Sequence, residues 1–155
     1  MGGRNLEHYE KLNKALVYAF NRIMDIENRC LNVDKFSDLT SNDMHIIDVI
    51  GMEEPKNMST IAKELFVTVG TLTIAMNGLV KKGYVERKRG EKDKRVVFIQ
   101  LTNKGKDAFL HHKAFHDKMI TGVIKNLSPE QIDVLGDALI NLIDYFEEEY
   151  KKKES

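Results

Sequence analysis

The segment from residue 59 to residue 102 restricts the fold more than any other part of the chain. A short apolar-periodic run at 60–66 is followed, after a break of a residue or two, by a longer one at 69–82. Ser59 and Thr68 are N-cap candidates for the two runs, and Gly83 suits the C′ position where a helix turns left-handed. Residues 84–88 and 95–101 then read as strands, the second rich in β-formers such as Val96 and Phe98. The charged turn Arg89-Gly90-Glu91-Lys92-Asp93-Lys94 lies between them. A short helix, tight turn and second helix make a helix-turn-helix. In that motif the second helix can enter a DNA major groove while the first braces it, and the ribbon that follows is a wing.

The helical wheel divides the longer helix into two faces. At about 100° per residue, Val69, Leu72, Met76, Leu79 and Val80 gather on one side and are expected to seal the core. Gly70, Thr71, Ile74, Asn77, Gly78 and Lys81 point away from it. A solvated face is normally rich in Glu and Lys, whereas this one has two glycines and no acidic side chain. Each glycine costs a helix about 1 kcal/mol relative to alanine, which fits a partner in close approach better than a plain surface helix. Asn77 suits adenine, Thr71 phosphates or base edges, and the outward Ile74 a thymine methyl.

Charge points the same way. The chain has 24 basic and 24 acidic side chains, yet residues 81–106 hold ten basic against three acidic. That concentration fits a polyanionic partner, the alternative being a solvated lysine-rich loop. Arginine gains most in a narrow minor groove, and Asp93 is placed to orient Arg95. The candidate DNA-contacting residues are therefore Thr68, Thr71, Thr73, Ile74, Asn77 and Lys81 on the helix. Arg87, Lys88, Arg89, Lys92, Asp93, Lys94 and Arg95 are the candidates on the wing.

Around this lobe the chain is helical, with only Pro55 and Pro129 as breakers. Leu12, Leu16, Phe20, Ile23 and Ile26 pattern a long first helix over 6–31, and Ser41 is read as the N-cap of a second bearing Met44, Ile47 and Ile50. Thr102 caps a fifth helix to about residue 125. Ser128-Pro129-Glu130-Gln131 opens a sixth with a capping box and proline at N1. Its seam, Ile132, Leu135, Leu139, Leu142 and Phe146, suits packing on another helix. The expected architecture is mainly α with a small β-hairpin wing, an α+β winged helix-turn-helix of six helices in a homodimer. One domain spans 1–155, with a DNA-binding lobe at 41–102 and dimerisation helices at 5–32 and 103–150.

A single cysteine, Cys30, allows no internal disulfide. No run approaches the roughly 18 apolar residues of a membrane span, so a cytoplasmic protein without a membrane partner is expected. Phosphate-binding glycine loops, a nucleophile elbow and Cys-x-x-Cys pairs are missing from the sequence, which argues against an enzyme with a required cofactor. A module for protein interaction alone would not need the basic wing.

These residues carry a family resemblance. Leu79-Val-Lys-Lys-Gly-Tyr-Val-Glu-Arg87, Asp93-Lys-Arg95 and Gln100-Leu-Thr-Asn-Lys-Gly105 resemble the MarR family in the end of the recognition helix, the wing tip and the next helix start. The resemblance implies an obligate homodimer joined through the first, fifth and sixth helices and reading a pseudo-palindromic site. Asp43-Met-His-Ile-Ile-Asp-Val-Ile-Gly51, Val67-Thr-Val-Gly-Thr-Leu-Thr73 and His112-Lys-Ala-Phe-His116 are similar to its fatty-acid-biosynthesis repressor branch. That branch implies repression of fatty-acid synthesis genes, with long-chain acyl groups on acyl carrier protein as co-repressor. Phe20, Ile23, Ile46, Ile47 and Phe115 are the candidates to line an acyl tunnel. Ile74 departs from the branch, which commonly has a small polar residue there.

The histidines allow a second reading. His112 and His116 lie at i, i+4 on the fifth helix, and with His45 and Glu27 they resemble the ligand set of zinc-responsive members of the family. Three His and one Glu would satisfy tetrahedral zinc. The same residues could instead rim an effector pocket or serve as hydrogen-bonded helix positions.

Overall fold

The computed structural model describes residues 2–33, 35–90, 94 and 96–153, with side chains at 6–29, 35–90, 94 and 96–149. It divides into two compact units, Met1–Lys113 and Ala114–Ser155. Six helices are present among the described residues: α1 Gly2–Val33, α2 Ser41–Ile50, α3 Met58–Glu64, α4 Val69–Lys81, α5 Asn103–Ile124 and α6 Pro129–Lys153. Three strands, β1 Lys56–Asn57, β2 Val85–Arg89 and β3 Val97–Leu101, form one antiparallel sheet in the order β1-β3-β2.

The first unit is built on one core. Met44 and Ile47 of α2, Ile61 of α3, Leu72, Met76 and Leu79 of α4, Tyr84 and Ile99 are all buried together. β2 and β3 pair from Val85↔Leu101 to Arg89↔Val97. The sheet is rooted in the core at Val85 and Leu101 and leaves it toward the charged turn.

Four local expectations are corrected. The N-cap of α2 is Thr40 rather than Ser41: Thr40 Oγ1 accepts the Asp43 N–H while Asp43 Oδ2 accepts the Thr40 N–H, each at 3.1 Å. Ser41 instead donates its hydroxyl to Asn28 of α1 at 2.6 Å. The N-cap of α3 is Asn57 rather than Ser59, its side chain accepting the Thr60 N–H at 2.8 Å. Asn57 is also half of β1, which pairs Lys56↔Ile99 and Asn57↔Phe98. A polar strand of two residues has no periodicity to read, so the sequence alone predicts a hairpin wing without it. Finally, Val69 does not seal the core but is 44% exposed. It opens α4 beside Phe66 and Val67, which are also exposed, so the first turn overhangs the core.

In the second unit α6 starts as expected. Ser128 N–H donates to Gln131 Oε1 at 2.9 Å, and Gln131 N–H to Ser128 Oγ at 3.3 Å. Leu135, Leu139 and Phe146 of the α6 seam are exposed, and Ile132 and Leu142 half-buried. In the first unit α1 likewise exposes Leu6, Tyr9, Leu12 and Phe20. Among the described residues no single helix is long and apolar enough to cross a membrane.

Candidate nucleic-acid interface

The helix-turn-helix is set by its caps. Thr68 Oγ1 accepts the Thr71 N–H at 3.1 Å and starts α4. At the end of α3, Val67 N–H reaches Ala62 O and Phe66 N–H reaches Lys63 O, the double bond of a Schellman motif. The left-handed residue there is Phe66, at φ 53°. The same pattern closes α4, from Tyr84 to Leu79 and from Gly83 to Val80, with Gly83 at φ 79°. The Phe66 turn and the Thr68 cap between them set α3 and α4 at 106°, within the range of about 90–120° of the motif.

Polar contacts then fix α4 in the unit. Lys82, its C-cap, donates to Asp43 Oδ2 at 2.8 Å, so the carboxylate that completes the α2 capping box also holds the far end of α4. Tyr84 donates its hydroxyl to Asp38 Oδ1 at 2.6 Å, with the Lys104 ammonium 3.9 Å from its ring centre. Burial first, and then Asp38, push the Tyr84 hydroxyl well above its ordinary pKa. The Tyr84 hydrogen bond, aided by Lys104, holds Asp38 below the usual carboxylate range. Thr102, the N-cap of α5, donates its hydroxyl to Gly83 O at 2.7 Å and its N–H to Tyr84 O at 3.0 Å. The start of the wing and the start of α5 are thus one hydrogen-bonded corner.

On the outward face Thr71, Ile74, Asn77 and Lys81 are exposed, Ile74 at 77%. The threonine hydroxyls have local partners. Thr68 and Thr71 lie 2.9 Å apart, oxygen to oxygen, and Thr73 donates to Val69 O at 2.7 Å. Thr73 is therefore turned onto its own helix, and Thr71 and Ile74 stand clearer of it. Gly70 is exposed, and a Cβ on Gly78 would meet nothing within 4 Å.

Arg87, Lys88, Arg89 and Lys94 of the wing are exposed. Lys92, Asp93 and Arg95 lie outside the described residues. Arg87 Nη2 donates to Asn77 Oδ1 at 2.7 Å, joining β2 to the recognition helix. Sequence reasoning missed this link, as it missed Lys82–Asp43 and Tyr84–Asp38, because nothing in the spacing of these residues announces a contact.

The first unit also gathers most of the histidine set. Glu27 Oε1 lies 2.5 Å from His112 Nε2 and 3.3 Å from His45 Nε2, and His112 Nδ1 is 3.5 Å from Asp48 Oδ1. Glu27 and His112 are buried, and His45 is half-buried. Burial opposes charge on His112, but Asp48 and Glu27 outweigh it and raise its pKa. Glu27, His45 and His112 offer three ligand atoms within 4.8 Å of one another, a donor set that suits a borderline metal such as zinc. His116 falls in the second unit. Of the acyl-tunnel candidates, Ile46 and Ile47 are packed in the core, Ile23 is half-buried, Phe20 is exposed, and Phe115 belongs to the second unit.

Comparison with known proteins agrees with this architecture. Residues 31–112 match the family model of the transcriptional regulator SarA/Rot. The HTH-type transcriptional regulator YhjH of Bacillus subtilis is 30% identical over 72% of this chain, and the match spans 61% of YhjH. The HTH-type transcriptional regulator SarZ of Staphylococcus haemolyticus is 33% identical over 70% of this chain and 73% of SarZ. The crystal structure of Streptococcus pneumoniae FabT in complex with DNA is 41% identical, with a TM-score of 0.83 over 90% of this chain and 98% of FabT. The chain belongs to the SarA/Rot family of transcriptional regulators and has the winged helix-turn-helix fold of MarR-type proteins.

Proposed function

We propose that this protein is a sequence-specific repressor that binds duplex DNA as a homodimer, α4 lying in the major groove and the wing beside it. One observation carries the reading: the acid-free exposed face of α4 is joined directly to the basic strand β2. Burying that face against phosphates and base edges releases counterions, so affinity must fall steeply with salt. FabT, the structure described above, is itself in complex with DNA, and a homodimer fits the family. The apolar side chains exposed on α1, and separately on α6, support a subunit interface. The test is a gel shift with a duplex selected from random sequence, titrated with salt, beside sedimentation of the free protein. Salt-dependent retention by a dimer is the expected result. A stable monomer at micromolar concentration, or no retention, would overturn the reading.

We infer that the regulated genes are those of fatty-acid synthesis and that the effector is a long-chain acyl group delivered by acyl carrier protein. The resemblance of residues 43–51, 67–73 and 112–116 to the fatty-acid branch and the likeness to FabT support this. The Glu27, His45 and His112 cluster favours a second reading, in which zinc is the effector and metal-uptake genes are the target. DNA affinity measured with zinc, with chelator, and with long-chain acyl carrier protein separates the two.

A further inference from the structure

We propose that Arg87 is a specificity-setting residue: it fixes the amide of Asn77 so that the recognition helix presents a hydrogen-bond donor, not a carbonyl, to the groove. The inference rests on the DNA-binding reading above. A guanidinium has five donors and no acceptor, so the oxygen of the Asn77 amide must be the atom that faces Arg87, at 2.7 Å. The Nδ2 donors then point the other way. Ile74 and Lys81 share this face, three residues before Asn77 and four after it, so the amide stands in the middle of an exposed row. An asparagine that reads adenine bidentately uses both halves of its amide, accepting from N6–H and donating to N7. With Oδ1 held by the wing, Asn77 is committed to acceptor edges, namely guanine O6 and N7, thymine O4 or adenine N7 alone. The bidentate pairing with adenine, suggested by residue type alone, is replaced by a donor role. Arg87 is in turn committed to orienting Asn77 rather than to neutralising a phosphate.

The experiment uses the full chain and the duplex it selects from a random-sequence library. Affinities for every single base-pair variant of that duplex are measured for wild type, Asn77→Ala, Arg87→Ala, Arg87→Lys and the Asn77→Ala/Arg87→Ala double variant. Circular dichroism and sedimentation confirm that each variant folds and assembles as wild type. We expect Asn77→Ala and Arg87→Ala to flatten the preference at the same base pair by roughly tenfold. The double variant should lose no more than either single one. Arg87→Lys, which keeps the charge but not the planar fork, should flatten that position too. A uniform loss across all sequences in Arg87→Ala would make it a phosphate contact and overturn the proposal. Additive losses, or a requirement for adenine at that position that is lost when purine, which lacks the 6-amino donor, replaces it, would do the same. Failure of the wild type to select any duplex would instead strike the DNA-binding reading itself.

Discussion

A methyl group placed on Gly105 would collide with the backbone carbonyl of Tyr84. That carbonyl accepts the Thr102 N–H at the corner where the wing and α5 meet, so neither partner can step aside without breaking the corner. Gly105→Ala should lower stability by about 1–3 kcal/mol, the usual cost of overpacking, seen as a drop in the urea midpoint. Gly78→Ala makes the opposite case, because a Cβ there meets nothing within 4 Å. It should gain about 0.5–1 kcal/mol from helix propensity and still bind DNA more weakly, since its methyl intrudes on the groove-facing side. A Gly78→Ala protein with unchanged affinity would show that DNA does not approach this side of α4.

Tyr84→Phe keeps the buried ring but loses the 2.6 Å bond to Asp38. The expected cost near neutral pH is about 1 kcal/mol, limited by the exposure of the carboxylate. The deficit should narrow at both ends of the pH scale. Asp38 has its folded pKa below its ordinary value of 3.8, so its contribution is present above that value and lost as pH falls through the folded one. The Tyr84 hydroxyl is raised above 10.0, so its contribution is present below that value and lost as pH climbs through the folded one. Urea midpoints of both proteins at about pH 3, 7 and 11 test this, and a deficit constant with pH would exclude the bond as its cause.

What the chain reveals by itself is local chemistry. Thr68, Gly83, Thr102 and Ser128 were legible because a hydroxyl at a helix start and a glycine past a helix end have one dominant use each. Phe66 was not, since a left-handed phenylalanine is held by the backbone bonds around it rather than by its own preference. Asn57 competed with Ser59 for the cap and won because β1 fixes its backbone in the extended form a cap requires. The candidate interface was legible as a face, from the missing acids and the paired glycines. Its internal wiring, Arg87 to Asn77 and Lys82 to Asp43, depends on tertiary placement that no periodicity encodes. Glu27, His45 and His112 came together only through resemblance, as 85 residues separate Glu27 from His112.

Lys81 and Ile74 should fail differently. Lys81 is exposed in the last turn of α4, and in the DNA-binding reading its ammonium meets phosphate. Lys81→Ala should weaken binding about equally for all sequences and reduce the salt slope by about 1 per contact removed. Ile74 has no charge to offer and is 77% exposed. Ile74→Ser should leave the salt slope unchanged and reduce the preference for one thymine, an effect that replacing this thymine with uracil in the duplex should reproduce. If Ile74→Ser acts on all sequences alike, the methyl contact is absent.

The cluster around Glu27 offers the sharpest division between the two effector readings. Its carboxylate is buried between His112 and His45, and removing one partner of a buried polar pair costs on the order of 3 kcal/mol. Glu27→Ala should therefore be strongly destabilised whichever effector is right, and stability alone decides nothing. Zinc is the discriminating addition. A ligand that binds only the folded state at a hundredfold above its dissociation constant stabilises it by about 2.7 kcal/mol. In the zinc reading, metal raises the melting temperature of the wild type and changes its DNA affinity, and His112→Ala loses both responses. In the acyl reading, the three residues are a structural hydrogen-bonded knot. Zinc then moves neither quantity, and long-chain acyl carrier protein alters DNA affinity with chelator present. A zinc response in both melting and DNA binding, abolished in His112→Ala and unaccompanied by any acyl response, would retire the fatty-acid assignment.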